Sequence, residues 1–244
     1  MALGVASNLW ISLGEVLRPL CRATAYLVGP TLLNYVPFFL ILGVLFRVAG
    51  KLRWRELGFD ASRLRAALLW CGIAWGLAQV MLFVLAGGDL EFDPRWKTQP
   101  TVRLGALLGQ LFGNALCEEV FWRAFLIPQL VFLLLRRERC SLRAATVAAV
   151  LLSSALFALS HIPHDLAQEH GLGQILGGQA FRFLLGIVFA VLFLLSNNLF
   201  TVVGLHSLIN TPVPLFAVGP RHLSQAFFTF GPLLLLVVLR LRRR

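Results

Sequence analysis

Three short groups of polar and ionisable residues stand inside apolar stretches of this chain, and their types could activate water and hold a developing negative charge. The first is Glu118-Glu119-Val120-Phe121-Trp122-Arg123. On a helix Glu119 and Arg123 are i,i+4 neighbours and can neutralise each other. Glu118 points about 100° away, with Trp122 as its own i+4 neighbour. A carboxyl held against an apolar ring in low dielectric keeps its proton to higher pH, which is what a general base near neutrality requires. The second group is Phe157-Ala158-Leu159-Ser160-His161, in which Phe157 and His161 share a helical face. The third is His206-Ser207-Leu208-Ile209-Asn210, in which His206 and Asn210 project to one side. Two hydrogen-bonding groups on one face of an apolar helix need partners within the protein.

Each group also has an ordinary structural reading. The charges of the first can form a network between helices. His161 can be an interfacial residue at the end of a span, with His164 and His170 following in a loop. His206 and Asn210 can be a polar clamp between helices. Taken together, the groups supply a carboxylate, two imidazoles and an amide from three separate helices. That set suits addition of water to a peptide carbonyl, in which a base takes the proton and donors hold the oxyanion.

The elements that must position these residues are membrane helices. Of the 244 residues, 58% are hydrophobic and 14% charged, against about 25% charged in soluble domains. At about 20 apolar residues per span, the chain reads as an all-α polytopic membrane protein of about seven or eight transmembrane helices. The expected spans are Ala23–Val48, Ala66–Ala86, Leu104–Leu135, Ala144–Ser160, Ile175–Leu195, Leu199–Pro212 and Ala226–Leu239, with Met1–Arg22 as an interfacial or weakly inserted helix. Gly87–Pro100 and Pro163–Gly173 read as loops, with a helix boundary at Ile162 because the residue before a proline disfavours helix. Three parts follow: residues 1–100 with two spans and connectors, a catalytic core over 101–216, and residues 217–244 with the last span and an Arg-rich tail.

The net charge of +11 sits beside apolar runs, at Arg47–Arg65, Arg136–Arg143 and Arg240–Arg244. That is the positive-inside pattern of cytoplasmic loops, with membrane lipids as neighbours, and it argues against a nucleic-acid partner. It puts the C-terminus in the cytoplasm and His161 at the opposite end of its span. Cys21, Cys71, Cys117 and Cys140 are scattered, with no spacing for a disulfide framework or zinc knuckle. The N-terminal stretch lacks the basic region of a cleavable signal peptide. Without organelle signals, the Arg-rich chain points to a bacterial inner membrane.

The order E-E-x-x-x-R, F-x-x-x-H, H-x-x-x-N resembles the CPBP family of intramembrane proteases, also called the Abi or type-two CAAX-protease family. The motifs stand here as Glu118-Glu119 with Arg123, Phe157 with His161, and His206 with Asn210. The resemblance covers about Leu104 to Pro214, and the Glu56-Leu57-Gly58-Phe59 connector resembles a segment often found before that core. It implies that Glu118 activates water with help from His161, that His206 and Asn210 stabilise the oxyanion, and that Glu119 and Arg123 hold the site together. It also implies a membrane-anchored or lipid-modified protein substrate, such as a CaaX-type or C-terminal sorting tail.

Members of the family are described both as glutamic and as metalloproteases. Glu118, His161 and His206 could form a His₂Glu zinc site, but there is no H-E-x-x-H and the ligands must converge from three helices, so a metal-free site is favoured. Competing readings are an ion-coupled transporter using the buried Glu and His, a catalytically inactive scaffold or immunity protein, and a lipid-modifying transferase. The chain lacks the duplicated halves of many transporters and a recognisable transferase nucleophile.

Overall fold

The computed structural model describes residues 17–85, 88, 91–138 and 141–217. Expectations for the first sixteen residues, for Cys140, and for the last span and Arg-rich tail lie outside these. Residues 17–23 are helical. A turn with positive φ at Ala25 and Tyr26 leads to α1, Pro30–Val44, which opens on a proline and continues as a π-helical turn, Leu45–Ala49. A proline in the first turn costs nothing, because its missing N–H would have no helical partner there.

The basic connector tucks inward at Glu56-Leu57-Gly58-Phe59. Leu57 is buried. Gly58 has φ +84°, and a Cβ on it would lie 3.0 Å from Cβ of Leu199. Phe59 meets the ring of Phe200 edge-on. This segment therefore seats the start of α9, Leu199–Asn210. It is followed by α2, Leu64–Leu85.

The stretch expected as one helix from Leu104 to Leu135 is broken. It runs as α3, Pro100–Leu111; α4, Asn114–Glu119; a π-helical segment, Val120–Leu126; and α5, Ile127–Glu138. The break has a packing cause. Gly105, Gly109 and Gly113 recur every fourth residue, the first facing the turn before α1 and the other two its first turns. A Cβ on Gly105 would run into the carbonyl oxygen of Tyr26, one on Gly109 would lie 2.9 Å from Cβ of Thr31, and one on Gly113 would lie 3.1 Å from Cβ of Tyr35. Small residues at this spacing let helix backbones approach closely. Gly113 leaves the helical region, at φ −127° and ψ −102°, so the chain turns and restarts just before the paired glutamates.

The helix α6, Leu142–Leu159, is capped by the Ser141 hydroxyl, which accepts from the Ala144 N–H. The expected loop after it begins as a short helix, α7, Ile162–Ala167, with His161 at its N-cap and Pro163 in its first turn. Pro163 starts a helix here rather than only ending one. Then come α8, Leu172–Ser196, and α9. Asn198 caps α9 by accepting from the N–H groups of Phe200 and Thr201. Leu199 and every residue from Thr201 to Ile209 are buried. A helix buried all round forms the centre of the bundle.

Among the described residues, four helical stretches are long and apolar enough to cross a membrane: Pro30–Val48, Ala61–Val84, Leu142–Ala167 and Leu172–Ser196. By length and composition they mark the chain as an integral membrane protein. Seven or eight spans are not reached among the described residues, because residues 100–138 are broken and α9 has only 12 residues. An isolated antiparallel bridge pairs Phe92 with Phe216.

That bridge marks a strap after α9. Trp75 Nε1–H donates to the Val213 carbonyl and Trp96 Nε1–H to that of Pro214, while the Leu215 N–H donates to Gln79 Oε1. Asp93, buried beside the strap, is gripped by the guanidinium groups of Arg95 and Arg103. Hydrogen bonds from Arg95, then from Arg103, hold its carboxyl well below the usual carboxylate range despite the opposing effect of desolvation.

Candidate active site

The bundle brings the three sequence groups together. From α4, Glu118 points at two imidazoles: its Oε1 lies 4.0 Å from His161 Nε2, and its Oε2 lies 3.6 Å from His206 Nε2. Its side chain is 18% exposed and that of His161 26%, against 3% for His206. The site is thus open on the His161 side and closed behind His206.

The other imidazole nitrogens are held from behind. His161 Nδ1 lies 2.8 Å from the Phe157 carbonyl oxygen. A carbonyl only accepts, so this nitrogen carries a proton and Nε2 of the neutral ring is left as an acceptor. His206 Nδ1 lies 2.7 Å from Glu119 Oε1. An ionised carboxylate likewise only accepts, so Nδ1 of His206 donates to Glu119 and Nε2 faces Glu118. This is the logic of a carboxylate that orients and charge-balances an imidazole.

The two adjacent glutamates therefore differ. Glu119 is fully buried and lies 3.2 Å from Arg123, which is 1% exposed. The Arg123 guanidinium also sits over the ring of Phe157 at 4.5 Å and that of Phe189 at 5.3 Å. These ring faces contribute attraction to a cation cut off from water. The sequence motif partner Phe157 touches nearly everything here: Arg123, Trp122, His161 and His206. Trp122, expected beside Glu118, makes ring contacts with Phe121 and Phe157, and the backbone runs as a π-helical segment from Val120 to Leu126. Such π segments are frequent at functional sites.

Asn210 lies one turn beyond His206 and donates through Nδ2 to Gln110 Oε1 at 3.0 Å. Among the described residues, no group of three or more His, Cys, Asp or Glu side chains stands at a spacing that could hold a metal ion. The trio of Glu118, His161 and His206 is looser than that.

Residues 98–212 match a family model described as type II CAAX prenyl endopeptidase, Rce1-like. That model is one of the CPBP, or CAAX-protease, family, and it covers just under half of the chain. No curated protein and no solved structure matches the chain.

The matched segment contains residues at the site that sequence reading passed over. Phe189 stacks on His206 with ring centres 4.5 Å apart; it stands in an apolar run with nothing to mark it. Gln110 carried a signal, since Gln110, Asn114 and Glu118 recur every fourth residue. So did Arg182, an ionisable residue within a span. It donates to both oxygens of buried Asp165, which also accepts from Gln179 Nε2 and has His170 within 3.7 Å. This cluster ties α7, and with it the His161 turn, to α8. His164 joins none of these contacts among the described residues.

Proposed function

We propose that this chain is an intramembrane endopeptidase that hydrolyses a peptide bond in a membrane-anchored or lipid-modified protein. The observation that carries the reading is the half-open Glu118 carboxylate facing Nε2 of both His161 and His206. The family match supports the peptide-hydrolase class.

Glu118 takes a proton from water as the water oxygen bonds to the peptide carbonyl carbon. The carbonyl π electrons move to oxygen. His206, charge-balanced by Glu119, donates from Nε2 to that oxyanion, and the Asn210 amide donates beside it. His161 holds the water through Nε2. When the intermediate collapses, the C–N bond breaks and the proton on Glu118 passes to the leaving nitrogen. Donors fixed in advance in a low-dielectric site supply most of the stabilisation.

An apolar cavity of about 730 Å³, lined by residues including Ala67, Cys71, Trp75, Leu107, Leu116 and Leu208, lies between α2, α3, α4 and α9. Its character suits the hydrocarbon of a lipid-modified substrate, such as the prenyl group that the family description names. The positive-inside pattern puts His161 on the non-cytoplasmic side, so the substrates are exported proteins of a bacterial inner membrane. Cysteine labelling that found position 164 on the cytoplasmic side would overturn this orientation.

The test compares protein termini in membranes from cells carrying the wild-type chain and cells carrying Glu118→Gln. The expected result is loss of a discrete set of new termini with accumulation of full-length precursors. Identical termini, with both proteins folded and expressed, would return Glu118 to a structural charge and favour the inactive scaffold.

A further inference from the structure

The Asn210 side chain has two amide hydrogens, and only one can serve an oxyanion if the other is held elsewhere. Gln110 holds it. Its Oε1 accepts from Asn210 Nδ2 at 3.0 Å and from Asn114 Nδ2 at 3.2 Å. An amide oxygen has two acceptor sites, so both are filled. Turning this oxygen away would break two hydrogen bonds at once.

The three amides join three elements. Gln110 lies at the end of α3, before the break at Gly113. Asn114 opens α4 just after the break and stands one turn before Glu118. Asn210 ends α9, one turn after His206. The relay thus ties the helix that carries the carboxylate to the helix that carries the donors. Asn114 Oδ1 is buried without a hydrogen-bond partner, so Asn114 is held chiefly through its contact with Gln110. None of this pattern follows from the motifs, which end at Asn210 and begin at Glu118.

We propose that Gln110 is a positioning residue: it fixes the plane of the Asn210 amide so that the second N–H is aimed at the oxyanion. This rests on the reading of Asn210 as an oxyanion donor. Losing the acceptor leaves Asn210 free to rotate about its side chain, which weakens transition-state binding while leaving ground-state binding intact.

The experiment is a double-mutant cycle on the full chain in proteoliposomes. The probe is a peptide spanning a cleavage site mapped by the Glu118→Gln comparison. Gln110→Met keeps length and helix preference and removes the acceptor. The expected result is about a tenfold fall in kcat with KM within about twofold of wild type. In an Asn210→Ala background the same change should cost nothing further, because residues acting as a unit are not additive. Gln110→Asn, which keeps a polar group but withdraws its oxygen, should reproduce the loss and serves if Gln110→Met does not fold.

Full kcat in both Gln110 variants, or an equal loss with and without the Asn210 side chain, would overturn the proposal. If kcat is retained in Gln110→Met while Glu118→Gln is inactive, only the role of Gln110 fails. If Glu118→Gln also retains full activity, or no cleavage site can be mapped, the reading of the whole site fails and takes this one with it.

Discussion

His206 Nδ1 lies 2.7 Å from Oε1 of Glu119, a contact between residues 87 positions apart in the chain. It divides the work of two neighbouring glutamates. Glu119 faces inward, to His206 and Arg123, and is sealed from water. Glu118 faces the open side of the site.

Substitution should separate these roles. Glu119→Gln leaves the buried Arg123 cation without its counter-charge, and breaking a buried pair costs about 3–5 kcal/mol. We expect a lower midpoint of thermal unfolding in detergent and poor yield. Glu118→Gln should leave that midpoint within a few degrees while lowering peptide hydrolysis by about 10²-fold or more. Equal stability losses for the two variants would contradict this division.

Chelation tests the metal-free reading. Purified protein dialysed against a strong chelator should keep its peptidase activity, because the proposed proton transfers use Glu118 and the two imidazoles alone. Loss of activity restored by added zinc would instead make Glu118, His161 and His206 metal ligands.

The close approach of α3 to α1 predicts a contrast between two glycines. Gly105→Ala forces a methyl group against the Tyr26 carbonyl, which is backbone and cannot rotate away. Overpacking of this kind costs about 1–3 kcal/mol. Gly76, in α2, has nothing within 4 Å of its would-be Cβ, so Gly76→Ala should be neutral or slightly stabilising, since alanine is the better helix former. Thermal unfolding of the two variants reads this directly.

Acid should loosen the strap after α9. The Asp93 carboxyl is held below its usual range in the fold, first by hydrogen bonds from Arg95. A carboxylate whose folded value is depressed contributes stability above its unfolded pKa, and that contribution fades as pH falls through the acid range toward the folded value. The unfolding midpoint of wild type should therefore fall below about pH 4. Asp93→Asn should start lower at neutral pH and show a shallower fall. Parallel curves for both proteins would show that the strap does not depend on this charge.

Much of the architecture could be read from local sequence because its causes are local. Apolar runs at Ala23–Val48, Ala66–Ala86, Ala144–Ser160 and Ile175–Leu195 overlap the spans found at Pro30–Val48, Ala61–Val84, Leu142–Ala167 and Leu172–Ser196. The i,i+4 spacing of Glu119 with Arg123, and the shared face of Phe157 and His161, needed only helical geometry. The intrahelical contacts within those pairs follow from it.

What lies between helices depended on how each was turned about its axis, and no local pattern sets that. Three glycines against α1 decided that α3 would end at Leu111 and that α4 would restart at Asn114. A π segment then set Trp122 against Phe121 and Phe157. Only the packed bundle determined that Glu118 faces two Nε2 atoms, that Phe189 backs His206, and that Gln110 reaches Asn210. Those contacts join residues far apart in the chain, and burial of α9 by its neighbours brought them within reach.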